Sequence, residues 1–351
     1  MNSKSKFVGF ACTYTPLALI DAAGFTPYRI LPVGEWPDQA GHLLHDNLCP
    51  HIKRILDRVL ADDIPELAQM VFMNSCDAMR RLRDAWQKIR PHEPAIFLDL
   101  PTTPSESSVT FFAGELARLM DALSQISGQP VNRSDIAVSI EKYNQLGKLL
   151  KNLHRQQIQG GLAGGRAELQ KIFNRASTEA AEELIREWMP AARAPQPSAQ
   201  KNNAVPVFLF GNVLADPEAF SFFESCGARV VDDDLCTGSR LFSPLDVNRS
   251  QDIFLQMAEG ILSQPPCART FDPQDPGKLS RDLVDRARAC GARGVIGHTI
   301  KFCDPYLARL PLIRETLDRE NLPFLLLEGD CSLRSIGQQR TRIEAFIEML
   351  G

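Results

Sequence analysis

The chain has 351 residues, of which 44% are hydrophobic and 23% are charged, with a net charge of −4 at pH 7 and a pI near 5.9. This composition predicts a globular protein with an ample core, and the length favours two domains. The weakly acidic charge excludes broad nucleic-acid binding, which needs many cations on one face. No apolar run approaches about 18 residues, and the N-terminal run is too short for a signal peptide. We therefore expect a cytoplasmic protein that does not bind a membrane.

The first 130 residues alternate apolar runs with amphipathic stretches. The apolar runs predict strands at 7–11, 28–31, 69–73 and 95–98. The amphipathic stretches predict helices at 16–23, 49–60, 77–89 and 106–125. Because parallel strands need crossover connections, this order favours a parallel sheet covered by helices.

A helical pattern follows at residues 132–189. It opens at "NRSDIAVSIEKYN", where Ser134 is the predicted N-cap. The next stretch, "PAARAPQPSAQKNNAVP", is rich in proline and alanine and lacks periodicity, which is typical of a linker. Residues 131–204 are therefore predicted to be a helical segment and linker.

The alternation of predicted strands and helices found in the first 130 residues recurs after residue 205. Strands are predicted at "VPVFLFG", "ARVVD", "GVIGH" and "PFLLLE", with helices at 217–225, 248–262, 279–289, 304–319 and 338–350. The two parts therefore look like a structural duplication. We predict an α/β protein in which an N-terminal domain, 1–130, and a C-terminal domain, 205–351, each contain a parallel sheet.

Nine cysteines need an explanation, because a disulfide framework is not expected in a reducing compartment. Ligand sites in open parallel sheets lie at the carboxyl ends of the strands. Four of the cysteines follow predicted strands: Cys12, Cys76, Cys236 and Cys303. Cys49 opens a helix, where backbone N–H groups favour a thiolate, and Cys267 lies in a proline-defined loop that could face the same cleft.

The other three cysteines are not assigned to the site. Cys226 in "ESCGAR" and Cys290 in "RACGAR" each precede a glycine that is expected to end a helix, which places them at the opposite edge of the sheet. We interpret both as packing residues. Cys331 in "EGDCSL" has no assigned role.

Each cysteine also has a simpler interpretation, since a single cysteine after a strand is often a small buried hydrophobic residue. Several at one edge favour a ligand set instead. Zinc favours close Cys-x-x-Cys pairs, which are absent here, although His45, Cys49 and His51 offer an alternative zinc site. Widely spaced thiolates that converge from separate loops suit an iron–sulfur cluster better.

Five motifs resemble the 2-hydroxyacyl-CoA dehydratase and benzoyl-CoA reductase family. They are "GFACTYTPLALIDAAGFTPYRILP", "VFMNSCDAMRRLRDAW", "VVDDDLCTGSR", "IKFCDPY" and "GQQRTRIEAFIEML", and together they span nearly the whole chain. The resemblance implies two flavodoxin-like (Rossmann-like) domains and an oxygen-sensitive iron–sulfur protein.

The resemblance also implies a set of ligands. In the dehydratase subunits three cysteines hold a four-iron (4Fe-4S) cluster, and the matching positions are Cys12, Cys49 and Cys303. A related branch carries a double cubane, in which six cysteines hold two four-iron clusters joined by a sulfide. The additional thiols that fit this branch are Cys76, Cys236 and Cys267. A single cluster with three packing cysteines remains the alternative.

The implied activity is that of a lyase or oxidoreductase using radical chemistry. Members pass a low-potential electron to a thioester, giving a ketyl radical anion, so the expected substrate is an acyl-CoA or another small molecule. The electron comes from a separate ATP-dependent activating protein, and this chain has no G-x-x-x-x-G-K-[ST] phosphate loop of its own. The chain would be a homodimer or a heterodimer subunit. The alternative is a noncatalytic subunit whose cluster only relays electrons.

Three further residues carry weaker predictions. Arg240 in "CTGSR" follows a strand end, where it could bind an anionic substrate group or form an ion pair with "VDDD". Asp77 and Asp304 each follow a cysteine at a predicted helix start, so their simplest role is to cap the helix.

Overall fold

The computed structural model describes residues 6–93, 95–193, 204–241, 243–248, 251–331 and 336–351. It contains two four-stranded parallel sheets flanked by helices, which confirms the predicted α/β class. Among the described residues, no helix combines the length and apolarity that crossing a membrane requires.

The first sheet has the strand order β2-β1-β3-β4. Its strands are β1 (Phe7–Phe10), β2 (Thr26–Arg29), β3 (Leu67–Asn74) and β4 (Ala95–Asp99). The accompanying helices are α1 (Leu17–Ala22), α2 (Pro50–Leu60), α3 (Asp77–Ile89) and α4 (Glu106–Ser127). The second strand begins and ends two residues earlier than predicted, because the last residue of β1, Phe10, pairs with Arg29.

Three helices connect the two sheets: α5 (Arg133–Ile158), α6 (Gly165–Ala176) and α7 (Ala181–Arg193). The N-cap of α5 is Asn132 and not Ser134, so that prediction is wrong. Asn132 Oδ1 accepts hydrogen bonds from the backbone N–H groups of Ser134 and Asp135, and the Asp135 carboxylate accepts one from the Asn132 N–H. This is a capping box, in which Ser134 only supplies a backbone donor.

The second sheet repeats the order of the first, as β6-β5-β7-β8. Its strands are β5 (Val205–Gly211), β6 (Ala228–Asp234), β7 (Gly294–Ile300) and β8 (Phe324–Gly329). Its helices are α8 (Pro217–Ser225), α9 (Ile253–Leu262), α10 (Lys278–Ala289), α11 (Asp304–Arg319) and α12 (Ile336–Leu350). Helix α9 begins five residues later than predicted, because the side chain of Asp252 caps it by accepting from the Phe254 N–H.

Helix α9 lies in the core of the first half, although it belongs to the second half of the chain. Met257 and Ile261 are buried in one hydrophobic cluster with Phe112 and Leu116 of α4. The two halves therefore share a hydrophobic core as well as a connecting segment. This arrangement places the carboxyl ends of both sets of strands near each other.

Candidate metal centre

A cavity of about 100 Å³ lies where the loops after the strands of both sheets meet. All six cysteines predicted from the sequence as ligands line it: Cys12, Cys49, Cys76, Cys236, Cys267 and Cys303. Each half of the chain supplies three of these thiols. The fold thus brings together residues that lie almost 300 positions apart in the sequence.

Three of the cavity cysteines occupy helix starts. Cys49, Cys76 and Cys303 are the N-caps of α2, α3 and α11, and none of their side chains makes a capping hydrogen bond. Asp77 and Asp304 are the first residues inside their helices, so the prediction that they cap them is wrong. In that position each carboxylate still complements the positive end of the helix dipole.

The backbones of two cavity cysteines of the second half are held by residues of the first half. The Cys236 carbonyl oxygen accepts from Thr13 Oγ1 at 2.8 Å and from Arg29 Nη1 at 2.6 Å. The Cys267 N–H donates to the Tyr14 hydroxyl at 3.3 Å. Contacts across the boundary between the halves therefore fix where these two thiols stand.

Asn212, which directly follows β5, links Cys303 to the sheet. Its Nδ2 donates to Cys303 Sγ at 2.9 Å, and its Oδ1 accepts from the Ile300 N–H at 3.0 Å. A Cβ atom on the preceding Gly211 would lie 1.9 Å from the His298 carbonyl oxygen, so only glycine allows this close approach of β5 and β7. Gly211 therefore allows the strand packing that positions Asn212 beside Cys303.

The spacing of the sulfurs argues against a mononuclear ion. Zinc bound at about 2.3 Å in a tetrahedron holds its thiolates about 3.8 Å apart. Among the residues that the structure describes, no three cysteine sulfurs lie within 4.8 Å of one another, and neither do the ligand atoms of His45, Cys49 and His51. The alternative zinc site is therefore not formed.

Burial controls the protonation of the thiols. Removal from water raises the pKa of Cys49 and Cys76 to about 12, and it also raises the pKa of Cys12. Hydrogen bonding from the Cys236 thiol instead lowers the pKa of Cys267 to about 6. Most of these thiols are therefore protonated when no metal is bound, and binding a metal would release their protons.

Arg240 forms a structural ion pair, one of the two roles considered from the sequence. Its Nε donates to Asp234 Oδ1 at 2.7 Å, and both groups are buried. Its Nη1 also lies 3.7 Å from Cys236 Sγ. Because Asp234 already balances its charge, Arg240 is not free to bind an anionic substrate.

The remaining cysteines do not line the cavity. Cys226 and Cys290 end α8 and α10, and each precedes a glycine with a positive φ angle, +82° and +69° respectively. This is the placement that the sequence predicts for them. Cys331 follows β8 and is buried in a hydrophobic cluster with Cys49 and Ile300.

A second group of candidate ligands lies at the edge of another cavity of about 270 Å³, which His154 and Asp232 line. His154, Asp232 and Asp233 have ligand atoms within 4.8 Å of one another. Arg166 is paired with Asp233, and Arg286 Nη2 lies 3.3 Å from Asp232 Oδ2. These arginines already balance the carboxylates, so we assign no metal to this group.

Sequence reasoning missed several polar residues of the cysteine cavity. Arg29, Arg269, Tyr14 and Asn212 all line it. Asn212 has the same signal as the cysteines, because it directly follows a strand. Arg29 could have been noticed as a charged residue in an otherwise uncharged strand, "TPYR".

The donor set of the cavity fits an iron–sulfur cluster. Such clusters take thiolate ligands from separate parts of a chain, and the loops here present six thiols around one space. The walls between them contain three arginines and also the buried apolar side chains of Ile52, Val213 and Ile300. The apolar part of the wall limits access of water to a bound cluster.

Comparison with known proteins identifies the family of the chain. The family model described as "2-hydroxyglutaryl-CoA dehydratase, D-component" matches residues 12–350. The (R)-phenyllactyl-CoA dehydratase beta subunit of Clostridium sporogenes is 23% identical over 98% of this chain and 92% of its own length. A benzoyl-CoA reductase subunit of Thauera aromatica is 22% identical over 91% of this chain and 84% of its own length.

The beta subunit of (R)-2-hydroxyglutaryl-CoA dehydratase from Acidaminococcus fermentans is 24% identical over 98% of this chain and 92% of its own length. All three relatives are named as components of dehydratases or of a reductase that act on CoA thioesters. Since the family model covers nearly every residue, the chain belongs to the 2-hydroxyglutaryl-CoA dehydratase, D-component family.

Proposed function

We propose that this chain is an oxygen-sensitive iron–sulfur enzyme of the 2-hydroxyacyl-CoA dehydratase and benzoyl-CoA reductase type. It would pass a low-potential electron to an acyl-CoA or another small substrate. The observation that carries this proposal is the convergence of six thiols, three from each half, on one cavity. Family membership supports it, because the relatives are named for this class of reaction.

The proposed ligands are all six cavity cysteines, which would hold two joined four-iron clusters. Cys76, Cys236 and Cys267 distinguish this double cubane from a single cluster on Cys12, Cys49 and Cys303. These three thiols line the same cavity as Cys303, which favours the six-ligand set over three packing cysteines. When bound, the cluster supplies one-electron transfer at a low potential.

The residues around the thiols have supporting tasks. The apolar part of the wall would limit access of water, and Asn212 orients Cys303 through its hydrogen bond to Sγ. The Tyr14 hydroxyl holds the Cys267 backbone. None of these side chains needs to carry out the electron transfer itself, since that chemistry belongs to the cofactor.

The proposal includes partners and a location. The electron would come from a separate ATP-dependent protein, because the chain lacks a P-loop motif. The chain would work as a homodimer or with a related subunit. All nine cysteines are free thiols, which fits the reducing cytoplasm.

Iron counting tests the cofactor. The chain would be purified without oxygen and reconstituted with iron and sulfide, and its iron and acid-labile sulfide would be measured. Six thiolate ligands predict about eight irons per chain, whereas three predict about four. A chain that retains no iron or sulfide would overturn the proposed function.

Single alanine variants test the ligands. Alanine at any one of the six cavity cysteines should lower the iron content, because each sulfur would bind an iron directly. Cys226→Ala and Cys290→Ala are the matched controls, since both cysteines lie outside the cavity and should cost packing stability only. Full iron in all six cavity variants would contradict the assignment.

A second candidate function is a noncatalytic subunit that relays electrons to a related chain. The naming of the relatives as subunits of larger enzymes favours this possibility. Size-exclusion chromatography and anaerobic activity assays separate the two functions. A homodimer that reduces or dehydrates an acyl-CoA with its ATP-dependent donor supports the enzyme, and activity only after addition of a second, related chain supports the relay.

A further inference from the structure

The side chain of Arg29, a residue of the first half, contacts the second half at the wall of the cysteine cavity. It ends β2 and is only 1% exposed. Its Nη1 donates to the Cys236 carbonyl oxygen at 2.6 Å, and its Nε donates to the Ala11 carbonyl oxygen at 3.2 Å. Its Nη2 donates to Thr13 Oγ1 at 3.3 Å. All of its hydrogen-bond partners are neutral oxygen atoms.

The side chain of Arg269, a residue of the second half, contacts the first half. It lies in the loop between α9 and α10 and also lines the cavity. Its guanidinium donates to the carbonyl oxygens of Ser75, Pro101 and Leu100 at 3.0, 2.8 and 2.7 Å. Each half thus sends one arginine to the other half, where Arg29 binds the carbonyl group of the cavity cysteine Cys236 and Arg269 binds that of Ser75, beside Cys76.

Neither guanidinium is paired with a carboxylate of the described residues. No carboxylate of the described residues forms a salt bridge with Arg29 or Arg269, and the positions outside the described ranges include no aspartate or glutamate. Arg240, the third arginine of the cavity, differs because Asp234 balances its charge. An arginine side chain cannot shed its proton to escape burial. Arg29 is fully buried and Arg269 is half-buried, so an anion inside the cavity would stabilise both positive charges, and that of Arg29 most strongly.

We propose that Arg29 and Arg269 are the counter-charges of the cluster, holding the two halves around it and setting the potential at which it accepts an electron. This inference rests on the proposed function. A cluster held by thiolates is anionic and becomes more negative on reduction. Nearby positive charges stabilise the reduced state, so they make the potential less negative. The two arginines are positioning residues and do not react themselves.

The test separates charge from hydrogen bonding. Arg29→Gln and Arg269→Gln remove the charge and keep a polar side chain, whereas Arg29→Lys and Arg269→Lys keep the charge. Each variant would be reconstituted without oxygen and titrated with titanium(III) citrate, which is oxidised to titanium(IV) as it gives up one electron. Electron paramagnetic resonance follows the reduction.

Each glutamine variant should lower the equilibrium constant for reduction about tenfold, as expected for a unit charge about 10 Å away at an effective dielectric constant of about 20. For a one-electron couple this is a shift of about 59 mV to a more negative potential. The lysine variants should stay close to the wild-type potential. This difference is one that loss of structure alone would not produce.

Arg309→Gln is the matched control. Arg309 donates to the carbonyl oxygens of Ala268 and Thr270, which flank Arg269, but it does not line the cavity. Its variant should keep the wild-type potential. If Arg29→Gln fails to fold, Arg269→Gln carries the test.

The outcomes are distinguishable. Glutamine variants with full iron and the wild-type potential would overturn the inference and leave the proposed function standing. Equal shifts in the glutamine and lysine variants would also overturn it, because they would show that hydrogen bonding and not charge sets the potential. A wild-type chain without iron would overturn the proposed function, and the inference with it.

Discussion

Individual buried charges determine which single substitutions this chain tolerates. Arg166 of α6 is wholly buried, pairs with Asp233, and stacks over the ring of Phe220 at 4.6 Å. Arg166→Met would leave the Asp233 carboxylate buried without its cation. We expect the free energy of unfolding to fall by about 3–5 kcal/mol, measured by urea denaturation.

Arg175→Met provides the control for Arg166→Met in the same helix. Arg175 binds Glu179 and Glu187 at the surface, where water screens all three charges. Its replacement should cost at most about 1 kcal/mol. Similar losses in the two variants would show that burial of the Asp233 pair does not govern stability.

The sensitivity of the fold to acid should depend partly on His298. Burial of this residue in β7 lowers the pKa of its imidazole to about 4. Between about pH 6.5 and pH 4 the unfolded chain therefore binds a proton that the folded chain does not. Stability should fall as the pH decreases through this range, by up to about 1.4 kcal/mol per pH unit from this group.

His298→Gln should flatten this pH dependence. Urea denaturation from about pH 7 to about pH 5 measures the slope. His42→Gln, at an exposed position, is the control and should retain the wild-type slope. An unchanged slope in His298→Gln would assign the acid sensitivity to other groups.

At the level of secondary structure, the start of α5 depends on one side chain. Asn132→Ala removes the acceptor that binds the N–H groups of Ser134 and Asp135. We expect a loss of about 1 kcal/mol in the free energy of unfolding. Ser134→Ala should have almost no effect, since that side chain caps nothing. A larger loss for Ser134→Ala than for Asn132→Ala would refute the capping box.

The elements themselves could largely be predicted from the sequence. The prediction for α3, 77–89, agrees with the structure at both ends because amphipathic periodicity and flanking residues mark it clearly. The N-caps were harder to predict, since Ser134 and Asn132 are both good capping residues. The choice depends on which residue adopts an extended backbone, and at Asn132 ψ is 168°.

The candidate site was only partly predictable for a related reason. The carboxyl-edge rule applies within one sheet, and it correctly placed Cys12 at the carboxyl edge of the first sheet and Cys303 at that of the second. The contacts of Arg29 and Arg269 with the opposite half depend on how the two halves pack together, and no local sequence pattern encodes that geometry. The packing of α9 against α4 is equally a long-range property.

For the molecule as a whole, the shared core predicts a single unfolding transition. Helix α9 belongs to the second half but is buried with α4 of the first, so unfolding of either half disrupts a hydrophobic cluster that both need. All three tryptophans precede residue 205, and their fluorescence reports on that part of the chain. Circular dichroism reports on both halves. The two signals should give the same urea midpoint.

Met257→Ala tests this coupling further. Met257 is wholly buried between the halves, and its truncation should cost about 2–5 kcal/mol. Both spectroscopic midpoints should then move together. Separate midpoints, in the wild type or in this variant, would mean that the halves unfold independently.

The equal division of the six thiols between the halves also has a consequence for biosynthesis. The first half leaves the ribosome with Cys12, Cys49 and Cys76 but without their counterparts, and Cys303 is made late in translation. The proposed cluster could therefore be inserted only after synthesis of the second half, as a maturation step on the assembled chain. A prematurely terminated chain would carry only three of the six proposed ligands, too few to hold the proposed cluster.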